Sequence, residues 1–256
     1  MQDSTVLLEV AGALARVTLN RPDRLNTMDL AWIEGLNAVV DRLAESPDVA
    51  VVVIRGAGRA FCAGLDLDML EASGMPPGFY EGQERAFRRL ELLEAITIAA
   101  IHGYCLGGGV QLAITCDLRV CSSDAVLGLP AVNEGLFPGL APFRLPHIVG
   151  LGTAARLVLS GESIGADEAL RLGLIDYVVP AAQFESGLDQ IVQTYLSAPR
   201  AAVAGSKRLL RKAFTATWED AYKLSLPLLQ ACLASDDVGA AREARRQQRR
   251  QPRSRP

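Results

Sequence analysis

Apolar and polar residues follow two different periods along this chain, and the changes between them mark out its elements. Residues 6–10 and 15–19 read as strands. Asn20-Arg21-Pro22-Asp23 follows as a turn, since proline fixes φ and aspartate bonds local backbone. From 29 to 44 the positions Leu30, Ile33, Leu36, Val39, Val40 and Leu43 keep helical spacing, with Asp29 as the N-cap. Ala50-Val51-Val52-Val53-Ile54 is a continuous apolar run closed by Gly56 and Gly58, the pattern of a strand buried on both faces. A helix fits 80–95. Ile98-Ala99-Ala100-Ile101 is again a buried strand, running into Gly103 and the triplet Gly107-Gly108-Gly109. A helix to residue 116 and a strand at 118–121 come next.

Strands alternate with helices in this way to residue 180, which predicts an α/β fold. Beyond Pro180 the pattern is helical only, over 182–197, 200–213, 218–233 and 236–250. That shift places a boundary near residue 195. The expected organisation is a core at 1–195, a helical region at 196–241 and a disordered tail at 242–256.

Composition and charge narrow the class. Half the residues are apolar and 21% are charged, as in soluble globular proteins. The five cysteines are odd in number, and no pair has zinc or redox spacing, so they read as buried apolar side chains of a reducing compartment. No metal is expected. No signal peptide or membrane span is apparent, and a cytoplasmic location is expected. The net charge of −3 hides an asymmetry. Residues 242–256 carry seven arginines and one glutamate, and the remainder has 19 basic and 28 acidic residues. Such a tail attracts nucleic acid or anionic surfaces. The plainer reading is a solvated tail, since no aromatic lies among the arginines to stack a base.

The candidate chemistry lies in two glycine-containing turns. Arg59-Ala60-Phe61-Cys62-Ala63-Gly64-Leu65-Asp66-Leu67 follows one buried strand, and His102-Gly103-Tyr104-Cys105-Leu106-Gly107-Gly108-Gly109 follows another. Each leads into a helix, so each presents free backbone N–H groups where the helix dipole adds partial positive charge. Two such turns side by side can hold two donors on one oxygen. Singly each motif is weak, because a glycine triplet before a helix often serves packing alone.

Together the two segments resemble the crotonase (enoyl-CoA hydratase/isomerase) superfamily, which shows Phe-Cys/Ala/Ser-Ala-Gly-x-Asp-Leu followed by Gly-x-x-x-Gly-Gly-Gly. Further matches in the same order are Asn20-Arg21-Pro22, Cys116-Asp117-Leu118, Leu127-Gly128-Leu129-Pro130, Gly135-Leu136-Phe137-Pro138-Gly139 and Gly173-Leu174-Ile175-Asp176. The resemblance covers about residues 5–235. It implies a spiral of β-β-α units with a C-terminal helical oligomerisation region, assembled as a trimer or hexamer. It also implies an acyl-CoA thioester as substrate, with coenzyme A entering as part of that substrate and no separate cofactor. Carried over by position, the backbone N–H groups of Leu65 and Gly108 form an oxyanion hole that stabilises a thioester enolate. Arg24, Leu25, Ala63 and Asp66 fall on the CoA path. Arg24 reads equally well as a solvated loop arginine, and Asp66 as a residue that holds its turn.

The chain departs from the family at the acids. Hydratases of the family carry one glutamate two residues past the glycine triplet and another after the Leu/Gln-Pro pair; here these positions are Gln111 and Ala131. Some members use an aspartate after the Phe-Pro pair, and here that residue is Gly139. General acid–base chemistry needs a titratable group in reach. Gln111 can orient a water or a carbonyl but takes up no proton, and Ala131 does neither, so ordinary hydration is in question. Glu134, three residues past Ala131, is the candidate relocated base, or else a solvated helix glutamate. His102 reads as a structural histidine, Tyr104 as packed in the wall, and His147, on a helix well past the site, takes no role. The leading expectation is an acyl-CoA-processing enzyme of hydratase or isomerase type. A decarboxylase, which needs only the oxyanion hole, an inactive acyl-CoA binder and a nucleic-acid-binding relative are the alternatives.

Overall fold

The computed structural model describes residues 4–250. The chain divides into two compact units, Met1–Leu196 and Ser197–Pro256.

The first unit is built on two sheets. Its strands are β1 (Val6–Ala11), β2 (Leu14–Leu19), β3 (Val51–Gly56), β4 (Ala60–Cys62), β5 (Ile96–Ile101), β6 (Tyr104–Leu106), β7 (Leu118–Ser122), β8 (Val126–Gly128), β9 (Ser163–Gly165) and β10 (Tyr177–Val179). The larger sheet has the order β1-β2-β3-β5-β7-β10 and the smaller β4-β6-β8-β9. Pairing is parallel except between β1 and β2 and between β8 and β9. The apolar runs at β3 and β5 occupy the middle of the larger sheet, where both faces are covered.

The chain repeats one move three times. It lays a strand in the larger sheet (β3, β5, β7), then a short strand in the smaller one (β4, β6, β8), then a helical turn. This is the expected α/β spiral of β-β-α units. Its consequence is local: since β4, β6 and β8 are neighbours, the turns that leave them are neighbours too. The smaller sheet escapes a reading by periodicity, because three-residue strands are too short to show one.

Four helices of this unit bear on the site: α1 (Leu30–Ala44), α2 (Leu67–Ser73), α3 (Phe79–Leu92) and α4 (Gly108–Thr115). Asp29 caps α1 by accepting from the Trp32 N–H at 2.8 Å, as its sequence suggested. The apolar face of α1 is buried, Trp32 and Leu36 completely. The link between α2 and α3 is short, since α2 extends to Ser73 and α3 begins at Phe79.

The second unit is helical, with Arg200–Leu210, Trp218–Ala234 and Asp236–Arg250. Residues 242–250, expected to be disordered, continue the last helix, whose acidic first turn (Asp236, Asp237) and basic remainder suit the helix dipole. The rest of the expected tail, 251–256, lies outside the described residues. No described helix is long and apolar enough to cross a membrane.

Candidate active site

The turns after β4 and β6 touch through glycine. A Cβ on Gly64 would lie 2.8 Å from the Leu106 carbonyl oxygen and 3.1 Å from the Gly108 nitrogen. A Cβ on Gly109 would lie 2.1 Å from the Cys62 carbonyl oxygen. Only glycine permits this approach, and Gly64 also needs its φ of +95°. The N–H groups of Leu65 and Gly108 therefore lie on adjoining backbones. Gly108 opens α4, where the first N–H groups have no intrahelical acceptor.

A third segment, the loop from Arg21 to Met28, braces the first turn. Leu25 accepts from the Ala63 N–H at 3.0 Å, Met28 donates to Gly64 at 2.7 Å, and the Asp66 N–H donates back to Met28 at 3.0 Å. Asn26 holds the loop down. It is fully buried, and its amide donates to the carbonyls of Ala57, Ala60 and Phe61 while its oxygen accepts from the Arg21 N–H. Leu25 and Asn26 both adopt positive φ (51° and 56°).

Arg21 ties the same region by charge. It pairs with Asp66 at 3.0 Å and Asp29 at 2.9 Å. Asp66 caps α2 through the Met69 N–H and accepts from Thr27. Burial pushes the Asp66 carboxyl up, but the Met69 N–H, Arg21 and Thr27 outweigh it and hold it below the usual carboxylate range. Its carboxylate is thus spent on the turn.

These turns border a cavity of about 270 Å³. Ala63, Leu65 and Gly108 line it, as do Gln111, Ala131 and Glu134. Arg24 and Leu25 are not on its wall; Arg24 is exposed and pairs with Asp68. Gly139 also lines the cavity, so the three positions at which relatives were expected to carry acids converge on one space. Gln111 is 6% exposed, and its Oε1 is sealed with no hydrogen-bond partner.

Glu134 is the sole carboxylate among the described lining residues, and no Lys, Arg or His stands beside it there. Residues Pro130–Glu134 form a 3₁₀ turn rather than an α-helix. In that geometry i and i+3 eclipse. Positions 131 and 134 therefore share one face of the turn rather than lying on neighbouring faces, which corrects the α-helical expectation, and Glu134 is exposed.

Residues 71–81, Phe79 and Tyr80 among them, read in the sequence as a loop that shapes the acyl pocket; helix α3 brings both to the cavity together with Gln83, which sequence reasoning left out. The signal was weak, because an amphipathic helix shows which face is buried but not what it faces. Burial pushes the Tyr80 phenol up, Glu84 adds to this and Arg144 opposes it. Arg144 is itself held by Glu84 at 2.8 Å and Glu91 at 2.6 Å.

Other expected residues fall away from the cavity. His102 follows β5 and its Nε2 sits 3.0 Å from the Gly58 carbonyl oxygen. Tyr104, expected to pack into the wall, is 43% exposed on β6. His147 packs edge-on against Phe143. Asp117 accepts from the Thr97 N–H and hydroxyl, a structural role.

The comparisons with known proteins agree with this architecture. The family model described as Enoyl-CoA hydratase/isomerase matches residues 9–252. A short-chain-enoyl-CoA hydratase of Clostridium acetobutylicum is 34% identical over 241 residues, covering 93% of this chain and 92% of the relative. An enoyl-CoA hydratase structure from Bacillus anthracis superposes with a TM-score of 0.89 at 27% identity, over 95% of this chain and 96% of that one. A chain from Thermobifida fusca YX solved in complex with CoA gives 0.83 at 32% identity, over 90% and 93%. The chain belongs to the enoyl-CoA hydratase/isomerase family, and acyl-CoA processing of that type is its class of activity.

Proposed function

We propose that this chain binds an acyl-CoA thioester with its acyl group in the cavity and its thioester oxygen between the N–H groups of Leu65 and Gly108. The observation that carries this reading is the contact of the two turns through Gly64 and Gly108. An enolate places negative charge on the thioester oxygen. Two preorganised backbone donors at the start of α4 lower the energy of that charge, a single donor by about 3–4 kcal/mol. CoA leaves the cavity past Ala63, with Arg24 and Leu25 on the outer loop.

Glu134 is assigned the proton transfer. Its support is that it is the carboxylate among the described wall residues and shares a face of the 3₁₀ turn with Ala131. Gln111 orients and Ala131 leaves space. Decarboxylation is a weaker reading, since it brings a second carboxylate into a cavity whose wall offers no cation and already carries Glu134. Assembly into a trimer or hexamer belongs to the same proposal. The exposed apolar residues Trp218, Tyr222, Leu226, Leu229 and Leu233 on helix Trp218–Ala234 support it. Nucleic-acid binding through residues 242–256 has no support beyond charge.

The test is hydration of crotonyl-CoA, followed by loss of the enoyl-thioester absorbance, in the natural protein, Glu134→Gln and Gln111→Glu/Ala131→Glu. Turnover that falls about a hundredfold or more in Glu134→Gln supports the assignment. An inactive natural protein with an active double variant retains the oxyanion hole and removes Glu134. Inactivity of all three, with no CoA ester bound, overturns the reading.

A further inference from the structure

The buried face of α3 is apolar except at one place. Its buried residues are Phe79, Gln83, Ala86, Phe87 and Leu90, spaced as a single helical stripe. Ala86, Phe87 and Leu90 lie in the core, and Phe79 and Gln83 border the cavity. The stripe thus turns polar where it meets the cavity.

Gln83 is only 6% exposed. Its carboxamide hydrogen-bonds to no described group, yet neither of its ends is sealed. A buried polar group left without a partner costs about 1–3 kcal/mol. A leucine of similar volume would complete the apolar stripe without that cost. Folding therefore gives no reason for an amide at residue 83. A ligand group that pairs with it does.

Two features define that group. A carboxamide presents N–H donors beside an acceptor oxygen, and a hydroxyl, which both donates and accepts, answers the two together. A carboxylate is disfavoured, because the described wall has no Lys, Arg or His and already carries Glu134. The place of the group follows from the elements. The thioester is assigned to the turns after β4 and β6, whereas Gln83 enters from α3 beside Phe79 and Tyr80. Carbons 2 and 3 of an acyl chain belong to the reacting end, so the hydroxyl lies further along.

We propose that Gln83 selects an acyl-CoA whose acyl chain carries an uncharged hydroxyl at C4 or beyond, with the rest of that chain against the apolar wall of Met28, Met75, Phe79 and Leu136. This rests on the oxyanion-hole reading above and adds to it the class of acyl group. A site built to hydrogen-bond a substrate hydroxyl rejects the analogue that lacks it, since the amide then stays buried and unpaired.

Calorimetric titration of the full-length protein with hexanoyl-CoA, its 4-, 5- and 6-hydroxy derivatives and adipoyl-CoA tests this. The chain length is constant, and adipoyl-CoA ends in a carboxylate. At least one hydroxy ester is expected to bind about tenfold or more tightly than hexanoyl-CoA, and adipoyl-CoA more weakly than either. Gln83→Leu is expected to abolish the preference. Without ligand that variant is expected to resist urea at least as well as the natural protein, because it buries no unpaired amide. Equal binding of hexanoyl-CoA and all three hydroxy esters overturns the inference and leaves the thioester reading standing. A preference that survives Gln83→Leu overturns it, as does tightest binding of adipoyl-CoA. A Gln83→Leu protein less stable by about 1 kcal/mol or more shows the amide spent within the fold, which also overturns it. If no ester binds, both the inference and the oxyanion-hole reading fail.

Discussion

Gly139 and Gln111 are fitted to one another: a Cβ at residue 139 would approach the carboxamide Oε1 to 2.5 Å, and Gly139 itself sits at φ +53°. The Gln111 end can swing away, so the steric part of a substitution is small. The backbone part is not. Gly139→Ala is expected to lose about 1 kcal/mol of stability through φ alone. It also releases the carboxamide, so ligand affinity falls further than stability does. Urea unfolding beside calorimetric titration separates the two, and unchanged affinity with reduced stability would sink the positional role.

Asn26 replaces a whole set of backbone contacts with one side chain. Asn26→Ala removes the partner of the buried Ala60 carbonyl and of the part-buried Ala57 carbonyl and Arg21 N–H. At about 1–3 kcal/mol for a buried stranded group and less for the part-buried ones, a loss of about 2–4 kcal/mol is expected. A chemical-denaturation difference below about 1 kcal/mol would mean that the loop is held by other means.

The Asp66–Arg21 pair sets an acid limit. Asp66 has its carboxyl held below the ordinary range, so the folded state binds its proton more weakly than the unfolded chain does. The contribution is therefore fully present above the unfolded carboxylate pKa of about 3.9 and is lost as pH falls through the lower folded value. Asp66→Asn should be less stable than the natural protein at neutral pH. The gap should narrow under acid, which stability curves at a series of pH values would show. A gap independent of pH would assign the loss to geometry alone.

Four cysteines should be silent to thiol reagents. Cys62, Cys105, Cys116 and Cys121 are buried, and Cys232 is half-buried. Burial pushes Cys62 up to about 12 against the help of the Gly64 N–H, and it pushes Cys121 up to about 12 with Asp124 adding to it. The thiolate is the reactive form. Native protein is expected to label at Cys232 alone, and denatured protein at all five; fast native labelling of Cys62 would show that the first turn opens.

Periodicity and turn chemistry were enough for the strands at β3 and β5, the N-cap at Asp29 and the helical second unit. Each depends on neighbours in the chain, and burial on both faces leaves a plain mark in composition. Motif order sufficed for the family, which the family match over residues 9–252 bears out. It also singled out Leu65, Gly108, Gln111, Ala131 and Glu134, which the fold brings to one cavity.

What the sequence could not decide was direction and company. The 3₁₀ turn that puts Glu134 and Ala131 on one face differs from an α-turn only in hydrogen-bond spacing, which no residue pattern announces. Gln83 joins the site because α3 lies against α4, a relation between segments distant in the chain. The orientation of the Gln111 amide depends on a glycine 28 residues later, pressed on it by the fold. Local preference is written residue by residue and can be read so. Which end of a side chain faces a cavity is a property of packing, and it exists only once β4, β6 and β8 lie side by side.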